Sequence, residues 1–109
     1  MYVVRRVWDT KPGEARRVAS LVAAMGDEYE SAEKRSSSRV YFNTSTLPGE
    51  RNRVYMEWTE GVIASPYRDD QVSSPPRAKD LSAKVRELTV ESWIEFYELM
   101  TPEKALEVD

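Results

Sequence analysis

The sequence predicts an α+β domain in the order β-α-β-β-α-β, a four-stranded antiparallel sheet with both helices on one face. Three observations lead there. Two stretches carry apolar residues at helical spacing, Ala15, Val18, Ala19, Val22, Met25 and Tyr29, then Ala78, Leu81, Val85 and Leu88. Four others, near residues 2–9, 39–46, 52–60 and 90–100, have the Val- and aromatic-rich composition of strands. Between the middle two, Leu47-Pro48-Gly49-Glu50 puts Pro-Gly at the centre of a type II turn, where glycine accepts the positive φ required. The flanking strands therefore form an antiparallel hairpin.

The first strand is Tyr2 to Trp8. Thr10-Lys11-Pro12-Gly13-Glu14 marks a helix start, because proline's missing N–H costs nothing in a first turn. The first helix runs near residues 12–30, with Arg16, Arg17 and Ser20 off its apolar stripe. Gly26 interrupts that stripe and is expected to loosen the helix, which ends before Ser36-Ser37-Ser38. After the hairpin, residues 61–76 (GVIASPYRDDQVSSPP) form the longest irregular segment. Its end, Ser74-Pro75-Pro76, reads as the cap of a second helix near 76–88. Thr89 to Met100 closes the sheet with Trp93, Ile94, Phe96, Tyr97 and Leu99 distributed over both faces. Residues 1–100 make one domain; residues 101–109, from Thr101-Pro102, form a tail with room for one helical turn. This βαββαβ order is the ferredoxin-like arrangement.

A chain of 109 residues has room for one core. Its 40% hydrophobic and 32% charged residues are the balance of a soluble protein. With a net charge of −3 and no basic run interleaved with aromatics, nucleic acid is not an expected partner. Cysteine and histidine are both absent. That removes disulfides and thiolate chemistry, the usual general base near neutral pH and the commonest transition-metal ligand. Ser-His-Asp and Cys-His schemes are excluded. The opening MYVVRRVWD is not a signal peptide, since two arginines break its apolar run. No stretch approaches the ~20 apolar residues that span a bilayer, so no membrane is expected as partner and the cytoplasm is the expected location.

The stretch Asn52 to Gly61, NRVYMEWTEG, carries the most information about function. Val54, Met56 and Trp58 point one way, and Arg53, Tyr55, Glu57 and Thr59 the other. A sheet with one solvated face is apolar on one side and small or polar on the second. Here the second face holds a tyrosine beside a carboxylate, as though it too were covered.

Three motifs, in this order, give the chain a likeness to a known group. The first strand runs into Lys11-Pro12-Gly13; the third ends in Glu57-Trp58-Thr59-Glu60; the last is aromatic and exits to Thr101-Pro102. With them the chain resembles the dimeric α/β-barrel superfamily, including antibiotic-biosynthesis monooxygenases and NIPSNAP-like proteins, over residues 1 to 100. The resemblance implies a homodimer in which two sheets meet face to face. Tyr41, Tyr55, Glu57, Trp93 and Tyr97 then form the interface, and Val40, Phe42, Val54, Met56 and Trp58 lie under the helices, with Trp58 against Val18 or Val22. A buried Glu57 needs a partner, for which Arg5 or Arg6 is available; at a barrel rim it is solvated instead.

The resemblance also places a ligand between helices and sheet. Phe42, Met56 and Trp58 would line that pocket, with Tyr67 and Arg68 on the long loop at its mouth; alternatively the first three simply fill the core. The relatives that oxidise polycyclic phenols without a cofactor carry an asparagine four positions before the tryptophan, where this chain has Val54. The haem-using branches need a histidine that is absent here, so no cofactor is implied. Asp69-Asp70 and Asp27, Glu28 and Glu30 lack the spacing of a calcium loop, so no metal site is expected. The implied function is a small cofactor-independent, monooxygenase-like enzyme acting on an aromatic or polyketide-like molecule. The alternative is a non-catalytic dimeric domain that binds a small apolar ligand or a protein partner.

Overall fold

In the computed structural model, which describes residues 1–32, 36–62 and 75–108, the predicted order of elements is present. Strand β1 (Tyr2–Thr10) leads to helix α1 (Ala15–Ser31), the hairpin β2 (Arg39–Asn43) and β3 (Arg53–Glu60), helix α2 (Pro76–Leu88) and β4 (Thr89–Glu98). A single 3₁₀ turn, Pro102–Lys104, follows. The sheet order is β2-β3-β1-β4 and every neighbouring pair is antiparallel.

Register settles which side chains share a face, since directly opposed residues point the same way. Val4, Arg6 and Trp8 oppose Trp58, Met56 and Val54, and Val40 and Phe42 oppose Met56 and Val54. This side meets the helices. Val4, Trp8, Val54, Met56 and Trp58 pack against Val18, Val22 and Met25 of α1 and Leu81 and Val85 of α2 in one core. α1 lies over β2 and β3, whereas α2 packs mainly on α1 and scarcely reaches β4. Ile94 and Phe96, on the helix side of β4, therefore stay 48% and 38% exposed.

Three local expectations are corrected. α1 begins at Ala15, after Pro12 rather than with it. Gly13 takes φ +80° in a turn closed by Glu14 N–H donating to the Lys11 carbonyl at 3.1 Å. β2 stops at Asn43 instead of running to residue 46. The Asn43 amide bonds the backbone of Leu47 twice, at 2.9 and 3.3 Å, and so folds the chain out of the strand, the usual competition of Asn with ladder pairing. Beyond it, in a bend, Gly49 has a positive φ of +121°. The third correction is Gly26, which does not loosen the helix. α1 runs through it and the residue is buried. A Cβ there would lie 2.7 Å from Ser38 Oγ and 3.3 Å from Met56 Cε. The missing side chain lets α1 approach the sheet.

Asn52 ties the far end together. It adopts φ 57°, a left-handed conformation that Asn tolerates better than most residues. Its N–H donates to Thr44 and its carbonyl accepts from the Thr10 N–H, at 2.9 and 2.8 Å. Ser74 of the expected helix cap lies outside the described residues; Pro75 is the N-cap and Pro76 opens the first turn. Among the described residues no helix is long and apolar enough to cross a membrane.

Candidate functional site

The face turned away from the helices is ordered in rows, because residues of one parity on four paired strands line up across the sheet. One row alternates in charge. Arg39 opposes Glu57, Glu57 opposes Arg5, and Arg5 opposes Glu95. The next row is Tyr41, Tyr55, Val7 and Trp93, and the one after is Asn43, Arg53, Asp9 and Glu91. Tyr97 stands on the other side of the charged row, opposite Val3.

Each glutamate of the charged row is saturated within its own sheet. Glu57 accepts from Arg39 Nη2 at 2.8 Å and from the Tyr41 hydroxyl at 2.7 Å. Glu95 accepts from Arg5 Nε at 2.9 Å, the Trp93 indole at 2.8 Å and the Tyr97 hydroxyl at 2.8 Å. The expected partner of Glu57 is thus corrected: Arg39 takes it, Arg5 turns to Glu95, and Arg6 is on the opposite face. Rings and guanidinium groups interleave as well. Tyr41 and Tyr55 stack at 5.1 Å and 15°. Arg5 lies 4.9 Å over the Tyr55 ring and Arg53 5.1 Å from the Trp93 ring, distances at which the ring quadrupole attracts a cation. Arg53 Nε is covered but has no hydrogen bond, its nearest carboxylate oxygen being Asp9 Oδ1 at 3.6 Å.

These contacts shift the titrations. The Tyr41 hydroxyl, then Arg39, hold the Glu57 carboxyl below the usual range against the opposing effect of burial. Trp93 and Tyr97, then Arg5, do the same for Glu95. Burial and the bond to Glu57 push the Tyr41 hydroxyl up. Burial alone pulls Arg5 down, but its bonds to Glu95 and Tyr41 outweigh that and raise it. Both glutamates have folded pKa values depressed below the unfolded value of ~4.3. Their contribution is therefore complete above that value and is lost as pH falls through the lower folded ones. Thermal unfolding followed from pH 7 downward is expected to show melting temperature falling below about pH 4, and the Glu57→Gln and Glu95→Gln variants to show a shallower fall. An equally steep fall in both variants would refute the assignment.

On the helix side, Met56 and Trp58 are 1% and 6% exposed, in the core beside Val18 and Val22. The Trp58 indole donates to Glu60 Oε1 at 2.9 Å. Phe42 shares their face at the β2 edge and is 42% exposed. Tyr67 and Arg68 lie outside the described residues, as do Asp69 and Asp70. A cleft of about 300 Å³ opens at the end of the sheet where β2 starts and β3 finishes, lined by Val3, Ser37, Ser38, Arg39, Glu57, Trp58 and Thr59. Among the described residues no group of three or more acidic side chains is placed to hold a metal ion; Glu28 pairs instead with Arg77 at 3.5 Å. Arg16 and Arg17 are both exposed.

Sequence reasoning missed Arg39, and it put Arg53 on this face without its contacts to Trp93 and Asp9. The signal for Arg39 was its parity with Tyr41, which puts both on one face; its pairing with Glu57 required the hairpin register as well.

No family model matches the sequence, and no curated protein matches it. Solved structures do share the fold. A NIPSNAP family protein from Agrobacterium tumefaciens superposes with a TM-score of 0.64 at 16% identity, over 97% of this chain and 98% of its own. A NIPSNAP domain protein from Burkholderia xenovorans gives 0.60 at 14% identity, over 98% and 100%. An antibiotic biosynthesis monooxygenase gives 0.62 at 8% identity, over 93% and 100%. These are the two groups that the sequence motifs resemble, and the likeness runs nearly end to end in both directions.

Proposed function

We propose that this chain, whose fold is that of NIPSNAP and antibiotic-biosynthesis-monooxygenase proteins, acts as a homodimeric α/β barrel and a cofactor-independent, monooxygenase-like enzyme on a small aromatic or polyketide-like molecule. The open sheet face supports the dimer. It carries Tyr41, Tyr55, Trp93 and Tyr97 where a solvated sheet carries small polar residues, and Tyr97 is 51% exposed in the single chain. Its charged row alternates in sign and is paired internally. A second copy therefore meets no net like charge and need not supply counter-ions, which suits a self-complementary interface. Tyr41, Tyr55, Glu57, Trp93 and Tyr97 are the interface residues of this proposal.

In this proposal the ligand space lies between helices and sheet, bounded by Phe42, Met56 and Trp58. With no cofactor, the electrons for O₂ come from the substrate itself. A ring methylene becomes a carbonyl, one oxygen atom entering the product and the other leaving as water. The second reading is a non-catalytic dimeric domain that binds a small apolar ligand or a protein partner, with Met56 and Trp58, both buried, filling the core.

Sedimentation at micromolar concentration tests the assembly, and a species at twice the 12.6 kDa chain mass is expected. A clean monomer overturns the barrel. Oxygen uptake with a panel of polycyclic phenols tests the chemistry. Uptake with stoichiometric product is expected, and saturable binding without uptake transfers the conclusion to the second reading.

A further inference from the structure

Arg6 sits among apolar residues on the helix side of the sheet. It opposes Met56 on β3 and Ile94 on β4, between Val4 and Trp8 of the same face, at a position where the alternation of β1 calls for another core residue. It is half-buried, with its guanidinium carbon 4.9 Å from the centre of the Trp8 ring. Burial lowers its pKa, opposed weakly by Tyr29 on α1. The other three arginines of the sheet each have a carboxylate within 4 Å: Arg5 has Glu95, Arg39 has Glu57, and Arg53 has Asp9 and Glu50. Among the described residues no carboxylate pairs with Arg6.

A partly desolvated charge without a counter-ion destabilises a fold unless something pairs it. Next to this cation, on the same side, α2 leaves Ile94 and Phe96 48% and 38% exposed. A lone guanidinium beside an open apolar shelf matches an amphiphilic anion, with the charge at one end and a flat hydrocarbon body at the other.

We infer that Arg6, Ile94 and Phe96 recognise a carboxylate-bearing aromatic molecule, the guanidinium gripping the carboxylate while the rings lie on the shelf. Two parallel N–H···O bonds are the geometry in which arginine binds carboxylates best. The inference rests on the proposed reading as a protein for aromatic ligands, and it places the anionic end of such a ligand at Arg6, on the β1 and β4 side of the sheet that α2 leaves open.

The test compares naphthoate with naphthamide, which share a ring system and differ in charge, by titration calorimetry and thermal melts. The wild type is expected to bind naphthoate about tenfold tighter, the order of a charge-assisted over a neutral contact. Arg6→Met is expected to bind both equally weakly, and Arg6→Lys to keep part of the preference. Without ligand, Arg6→Met is expected to melt no lower than the wild type, since a guanidinium with no carboxylate partner among the described residues has been replaced by a side chain of similar volume. A purely structural arginine gives the opposite pattern, a fall in melting temperature, and that result overturns the inference. Equal binding of both probes to the wild type also overturns it, while leaving the reading as a protein for aromatic ligands in place. Binding of neither probe overturns both.

Discussion

Trp58→Ala is expected to lower folding stability by about 3–5 kcal/mol, the range for truncating a buried aromatic side chain. Trp58 is 6% exposed and belongs to the core shared by β1, β3 and α1. Its removal leaves a cavity under α1 that rigid neighbours cannot close, because Val4, Val18 and Val22 are β-branched and stiff at χ1. The indole N–H bond to Glu60 is lost as well. Trp58→Phe, which keeps most of the volume, should recover more than half of the loss. Urea unfolding followed by circular dichroism measures both variants. Full stability in Trp58→Ala, combined with loss of ligand binding, would reassign the residue from the core to the site.

Tyr55→Ala is expected to weaken the homodimer by about 2 kcal/mol or more, roughly thirtyfold in Kd, the scale of a central aromatic interface residue. Tyr55 lies in the middle of the open face, stacked on Tyr41 and covered by Arg5. Sedimentation across a concentration series reads the change directly. Lys84→Ala on the exposed face of α2 serves as the control and should leave the dissociation constant alone. An unchanged constant in Tyr55→Ala would move the interface away from this face.

How much of this was legible beforehand depends on how far apart the interacting residues lie. Val54, Met56 and Trp58 were separable from Tyr55 and Glu57 by counting, since adjacent strand residues point to opposite faces. α1 was legible from Val18, Val22 and Met25 by its period, and the positive φ at Gly49 by its residue type. Gly26 was misread because, within the helix, glycine only weakens. Its reason is Ser38 and Met56, which the fold brings against it. The early end of β2 was hidden in the same way. Asn43 keeps its place in the ladder opposite Arg53, while its side-chain amide takes the Leu47 backbone and turns the chain away after it.

The sequence by itself determined the order of elements, the two faces of each strand and the absence of any histidine or cysteine chemistry. These depend on residue type and on spacings of two or 3.6, which act within a few positions along the chain. Only the tertiary structure decided which arginine meets which glutamate. Arg5, Arg6 and Arg39 are chemically alike, and Arg5 directly opposes both Glu57 and Glu95. Register across four strands set the alternating row and gave Glu57 to Arg39 and Glu95 to Arg5, whereas parity along β1 already put Arg6 on the other side. Pairing is a property of strand register, set by contacts between residues as many as 90 positions apart, and no local pattern in the chain encodes it.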